Sequence, residues 1–242
     1  MLRPGEFKMI DKAVEICKLP EGSSVLEIGC GTGDTTERLE KKYGAKVSAI
    51  DLSLEMVRRT KERGLLAQVS YGDGEFLEDF PSFSFDLVVM ECVLSLINKP
   101  DEALHEAYCT LKKGGMLFIS DLSVKNPDPQ QMKALAIEAE RLAKKPKEYK
   151  ECDDQQDEMR VVSFRHEGRF LLEPLKDALK EVGFRVIFTE DRSKDLEEYV
   201  AQQMMAGKDG DADTWDCSGY PKDTGYFMLV AQKPLYSIGE EG

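Results

Sequence analysis

The chain has 242 residues, 33 of them basic and 46 acidic, for a formal charge of −13, and 41% of them are hydrophobic. That length fits one large domain, or one domain with an elaborated insert, with core enough to fold without disulfides or metals. The acidic balance argues against grasping nucleic-acid phosphates or an anionic membrane surface, and leaves work on small molecules as the expectation.

The N-terminus has no apolar signal region, and no stretch is long enough to span a bilayer. The cysteines, Cys17, Cys30, Cys92, Cys109, Cys152 and Cys217, form no C-x-x-C pair, so no metal is assigned. A reduced cytoplasmic chain with free thiols is expected.

Residues 5–18 read as an amphipathic helix with Phe7, Ile10, Val14 and Cys17 on one face, so that 1–20 form an N-terminal helical segment. Pro20-Glu21-Gly22-Ser23 turns the chain into a first strand over about 24–30. A helix from Asp34 to Tyr43 stops at Gly44, a second strand ends at Asp51, and Ser53 is placed to cap a helix running to Arg63. Strand three, about Ala67 to Tyr71, runs into Gly72-Asp73-Gly74-Glu75, and the apolar run Phe85 to Val93 is a strand buried on both faces. Pro100 starts a helix with Ala103, Leu104, Ala107, Tyr108 and Leu111 inward; Lys112-Lys113-Gly114-Gly115 closes it before strand five, Met116 to Leu122.

The pattern loosens over 125–165, read as an inserted cap or loop within the single domain 1–242, with one amphipathic helix carrying Met132, Leu135, Ala136, Ala139 and Leu142. Glu173 to Val182 is helical again, Phe184 to Thr189 a strand, 194–206 a helix and Tyr226 to Gln232 a last strand. Strands alternating with helices at this spacing make an α/β, doubly wound, mostly parallel sheet with helices on both faces.

The organising stretch is Val25-Leu26-Glu27-Ile28-Gly29-Cys30-Gly31-Thr32-Gly33-Asp34: a strand, a tight glycine turn and a helix start. Glycine lets the backbone take positive φ and lie against a ligand, and the helix N-terminus presents unpaired N–H groups. Dinucleotide folds use G-x-G-x-x-G; here the spacing is G-x-G-x-G, with Glu27 two residues ahead. This run resembles motif I of the class I S-adenosylmethionine (SAM)-dependent methyltransferases. The resemblance covers roughly 22–123 well and the last strand pair loosely, and it implies a seven-stranded sheet of order 3-2-1-4-5-7-6. Within the superfamily the chain looks most like the small-molecule group that includes the ubiquinone/menaquinone-biosynthesis methyltransferases.

The resemblance implies SAM as cofactor, S-adenosylhomocysteine as product and a small-molecule methyl acceptor. It implies that Gly29, Cys30, Gly31 and Gly33 make room for the methionine part, while Glu27 helps hold its amino group. Asp51, followed by Leu52, is the candidate for the ribose hydroxyls; its plainer reading is a cap on the next helix. Asp73, Gly74 and Glu75 resemble the adenine-side motif, and Met90, Glu91 and Cys92 close the fourth-strand motif, which passes near the methyl group in relatives. Lys113-Gly114-Gly115 resembles a structural signature before strand five. The N–P–P–Y signature of base N-methylation is absent, which tells against DNA or RNA as acceptor.

No catalytic residue is assigned. Of the histidines, His105 lies on a helix, and His166 is a candidate base whose plainer reading is a surface residue. Cys92-Val93-Leu94-Ser95-Leu96, followed by Asn98-Lys99, is similar to a segment of arsenite methyltransferases, which implies Cys92 and Cys152 as a soft pair for a metalloid. Their spacing is longer than in that family, and only Cys17 precedes motif I. Cys92 alternatively packs as a small buried hydrophobe. Trp215, with Cys217 and Tyr220 in a polar loop, either closes over an acceptor or packs on the sheet edge. The rival readings are a SAM-binding protein without turnover and, disfavoured by the third glycine's position, a nicotinamide dehydrogenase. A monomer or homodimer is expected.

Overall fold

The structure, a computed structural model, describes residues 3–144, 159–206 and 221–235. In chain order its elements are α1 (Lys8–Cys17), β1 (Ser24–Ile28), α2 (Asp34–Tyr43), β2 (Lys46–Asp51), α3 (Leu54–Glu62), β3 (Gln68–Tyr71) and β4 (Phe85–Glu91). A 3-10 turn (Leu94–Leu96) leads to α4 (Pro100–Thr110), β5 (Leu111–Val124) and α5 (Pro129–Ala143). Then come β6 (Arg165–His166), β7 (Arg169–Phe170), α6 (Leu172–Val182), β8 (Arg185–Asp191), α7 (Ser193–Ala206) and β9 (Thr224–Gln232).

β3, β2, β1, β4 and β5 lie side by side in that order, all parallel. β9 then inserts antiparallel between β5 and β8. That path is the expected 3-2-1-4-5-7-6 arrangement. The sheet nonetheless has nine strands, because the β6–β7 hairpin joins the far end of β5 through Ser123 and Phe170. Two-residue strands carry too little periodicity to be read ahead of time.

Alternate residues of β4 feed opposite cores, as the two-residue period of a strand requires. Val88 and Met90 pack with Ala103, Leu104 and Ala107 of α4 and Leu175 and Leu179 of α6. Leu87 and Val89 pack with Met9, Ile10 and Ala13 of α1, Leu39 of α2 and Leu196 and Tyr199 of α7. With both faces covered, the open rim at the strands' carboxyl ends is left for a ligand.

Two expectations are corrected. Strand one ends at Ile28, and Gly29 and Cys30 belong to the turn. β5 begins at Leu111, through the Lys-Lys-Gly-Gly run expected to be a turn, because Leu111 already pairs with Phe85 before the register shifts to Leu87 and Met116. The expected amphipathic helix of the insert is present as α5, with no residue buried and Ile137 exposed. Of the expected insert, residues 145–158 lie outside the described ones.

Candidate functional site

A cavity of about 640 Å³ opens at the carboxyl edge of the sheet. It lies where β1 and β4 are neighbours and the chain's winding reverses, the place ligands take in open α/β sheets. Glu27, Gly29, Cys30 and Gly31 reach it from the first turn, Asp51 and Leu52 from β2, Asp73, Gly74 and Glu75 from the loop after β3, and Glu91 and Cys92 from β4. Every residue expected to touch cofactor lines it except Gly33, which is the N-cap of α2. A Cβ at Gly33 would stand 2.5 Å from Thr60 Cγ2, so that glycine answers to packing against α3.

The turn is held from behind. Gly29 and Cys30 both donate to the Ile50 carbonyl, at 2.8 and 3.0 Å. Gly29 has φ +75°, and a Cβ there would come 2.7 Å from the Cβ of Val93. Gly31 N donates to Asp51 Oδ2 and Ser53 N to Asp51 Oδ1, each at 2.8 Å. Ser53, whose Oγ accepts from Met56 N, is the helix cap; Asp51 ties the glycine turn to β2 while facing the cavity.

Two carboxyl groups form the floor, each anchored by a threonine in the first turn of α2. Thr36 Oγ1 donates to Glu27 Oε2 at 2.6 Å, and Thr35 Oγ1 to Glu91 Oε2 at 2.8 Å. Burial pushes the Glu27 carboxyl up to about 8, with Thr36 opposing and Glu91 adding to the rise. Arg3, from the N-terminal arm, reaches Glu91 with Nε 3.3 Å from Oε1.

On the loop after β3, Asp73 Oδ1 accepts from Glu75 N at 3.0 Å, and Glu75 Oε1 accepts from Lys99 N at 2.9 Å. Leu52, 60% exposed, lies at the mouth with Met56.

Cys92, just past the end of β4, has φ +55°, a left-handed conformation, and its N–H donates to the Ser120 carbonyl of β5 at 2.8 Å. Its Sγ lies 2.7 Å from Tyr226 Oη, which donates to Ser120 Oγ at 3.3 Å. Burial, reinforced by Glu91 and Asp121, pushes the Cys92 thiol far above the ordinary cysteine range. Val93, Leu96, Ile97 and Asn98 complete the wall. Asp121 pins that wall from below, accepting from Ser95 N at 2.9 Å and Leu122 N at 2.8 Å, and burial raises its carboxyl to about 6.

His166 does not line the cavity; it sits on the β6–β7 hairpin, its Nε2 3.9 Å from Glu167 Oε2. His105 is exposed on α4, facing Cys109 at 3.7 Å. Cys152, Trp215, Cys217 and Tyr220 fall outside the described residues. Arg3, Thr35, Thr36, Met56, Val93, Leu96, Ile97 and Asn98 belong to the site without having been singled out as site residues. For the threonines a signal existed, because hydroxyls in the first turn after a glycine loop are well placed to donate towards a strand end. For Arg3 there was none.

Residues 26–119 match the family model described as a methyltransferase domain. The ubiquinone/menaquinone biosynthesis C-methyltransferase UbiE of Methylococcus capsulatus is 36% identical over 119 residues, 46% of this chain and 48% of that protein. An arsenite methyltransferase of Aquipseudomonas alcaligenes is 35% identical over 118 residues, 43% of this chain and 34% of that protein. The chain thus matches half or less of the length of these curated relatives. Among solved structures, the [4+2]-cyclase SpnF superposes with a TM-score of 0.67 at 23% identity, covering 93% of this chain and 80% of that one, a likeness of fold.

Proposed function

We propose that this chain, whose residues 26–119 form a methyltransferase domain of the class I SAM-dependent group, transfers a methyl group from SAM to a small-molecule acceptor. The observation that carries this reading is the meeting, in one cavity, of the glycine turn, the Asp51 carboxylate and the paired acids Glu27 and Glu91. The residues fit the cofactor. Each Asp51 oxygen, after accepting one backbone N–H, retains acceptor capacity for a ribose hydroxyl. Glu75 is turned towards Lys99, which leaves Asp73 as the acceptor for the adenine amino group, with Leu52 and Met56 beside the ring. Glu27 and Glu91 offer acceptors to the α-ammonium.

When bound, SAM supplies a methyl group already activated on a positively charged sulfur. The chain's task is to hold the acceptor in line with that methyl and to exclude water. Val93, Leu96 and Ile97 make the apolar wall that does so. Among the described residues no histidine lines the cavity, which suits an acceptor that gives up its proton easily or has none to lose. The acidic surface favours a small acceptor over nucleic acid, and a cytoplasmic monomer or homodimer belongs to the same reading.

The arsenite reading is the weaker one, since a metalloid needs thiolates and burial keeps Cys92 protonated. A fold does not dictate a reaction, and a [4+2]-cyclase shares this one, so a second reading stands beside the first, in which the chain binds SAM without transferring its methyl group. Calorimetric titration with SAM, followed by transfer of labelled methyl to a panel of quinols, amines, thiols and arsenite, separates these. Binding with product supports the proposal, binding without product from any acceptor selects the second reading, and absence of binding overturns both.

A further inference from the structure

Two buried polar atoms on the cavity wall have no hydrogen-bond partner: Arg3 Nη2 and Glu91 Oε1. Their side chains are 11% and 4% exposed. Arg3 belongs to the arm ahead of α1, outside the segment that matches the methyltransferase family. Its Nε donates to the Glu6 carbonyl at 3.0 Å and lies 3.3 Å from Glu91 Oε1, and its guanidinium stands 5.1 Å from the centre of the Phe7 ring. Burial disfavours the charge on Arg3, but its acidic surroundings, Glu91 foremost, more than offset it and hold the guanidinium protonated.

The arm follows a specified path. Gly5 has φ +68°, and a Cβ there would come 3.1 Å from Asp195 Oδ1 at the start of α7, so the backbone runs tightly against that helix. Lys8, at the arm's end, reaches the same carboxylate at 3.5 Å. A guanidinium steered into a cavity and left with an unbonded N–H, beside a carboxylate with an unbonded oxygen, is an incomplete arrangement.

The two orphans are of opposite kinds, one donor on a cation and one acceptor on an anion, at a single ion pair. A group that satisfies both carries a carboxylate and an ammonium close together, as the end of an α-amino acid does. Building on the proposed function, we infer that the N-terminal arm completes the cofactor site: Arg3 Nη2 takes the α-carboxylate of SAM, and Glu91 Oε1 shares its α-ammonium with Glu27. Charge-assisted bonds of this kind are the strong ones, and a guanidinium suits a carboxylate better than an ammonium does. An amino-acid acceptor would carry the same group, so the test must separate the two sources.

The experiment is calorimetric binding, without acceptor, of three ligands to the full chain: SAM, decarboxylated SAM, and 5′-methylthioadenosine, which lacks the whole amino-acid end. In the wild type, removing the carboxylate should weaken binding at least about tenfold. Arg3→Met should weaken SAM by a similar factor, leave decarboxylated SAM and methylthioadenosine within about twofold of wild type, and so erase the preference for the carboxylate. Arg3→Lys should recover part of it. Wild type that binds SAM and decarboxylated SAM equally overturns the inference while leaving the proposed function standing, as does an Arg3→Met loss shared by all three ligands. An amino-acid acceptor as the true occupant would show as that same equality, with the acceptor's own binding lost in Arg3→Met. Wild type that binds none of the three overturns the functional reading itself. Should Arg3→Met fail to fold, the wild-type comparison decides alone.

Discussion

The Thr36 hydroxyl donates to Glu27 Oε2 across 2.6 Å inside the core, and Glu27 still titrates only near pH 8. Burial outweighs the hydrogen bond. At pH 7 the carboxyl is therefore mostly protonated, and an ammonium placed beside it would drive it to the charged form. Binding of SAM at pH 7 is expected to release close to one proton, read by calorimetry in buffers of different ionisation enthalpy. Absence of release would mean that the cofactor's charge lies elsewhere. The ligand-free protein should show the converse. With a folded value of about 8 against an ordinary 4.5, the Glu27 contribution is complete below pH 4.5 and is lost as pH rises through 8. Glu27→Gln should flatten that part of the stability profile in urea titrations.

Asp51 bonds two backbone N–H groups, one in the glycine turn and one at the start of α3. Asparagine can accept from only one of them and turns an N–H towards the other. Asp51→Asn should weaken SAM at least about tenfold and lower the melting temperature by only a few degrees. A variant that binds SAM with wild-type affinity would remove the ribose role.

At Gly29 the left-handed backbone and the Val93 side chain act together. Gly29→Ala should destabilise by ~3 kcal/mol, combining the cost of positive φ with overlap against Val93. Truncating Val93 to Ala in the same chain should return ~1 kcal/mol, measured as coupling in a double-mutant cycle by urea unfolding. Strict additivity would place the strain elsewhere.

Cys92 lines the cavity yet stays protonated beside Tyr226. Iodoacetamide at pH 8 should leave it unmodified in the native protein while the half-buried Cys109 reacts, as peptide mapping would show. Rapid native-state labelling of Cys92 would revive the metalloid reading.

What could be read ahead of the structure was local. The glycine turn, Asp51 at the end of its strand and the Asp73–Glu75 loop each declare themselves within a few residues, and all reach the same cavity. What escaped depends on contacts distant in the chain. Arg3 meets Glu91 only because α1 packs across the sheet, and Tyr226 meets Cys92 only because β9 runs beside β5. For His166 the plainer reading fits better: a histidine near an insert names a candidate, but it sits on the β6–β7 hairpin and does not line the cavity. The stripe of α5 announced its helix, but periodicity reports an amphipathic helix without saying whether anything covers its apolar side.

β9 is buried from Thr224 to Ala231 and bonded on both sides, although it follows both of its neighbours, β5 and β8, in the chain. During synthesis β5 and β8 must therefore both leave the ribosome before they can acquire the neighbour between them. Until then both carry open hydrogen-bonding rows and uncovered apolar surface, the features that invite association with other nascent chains. Breaking β9, for instance with Leu229→Pro, should thus harm the yield of folded protein even though the glycine turn and Asp51 would be left intact.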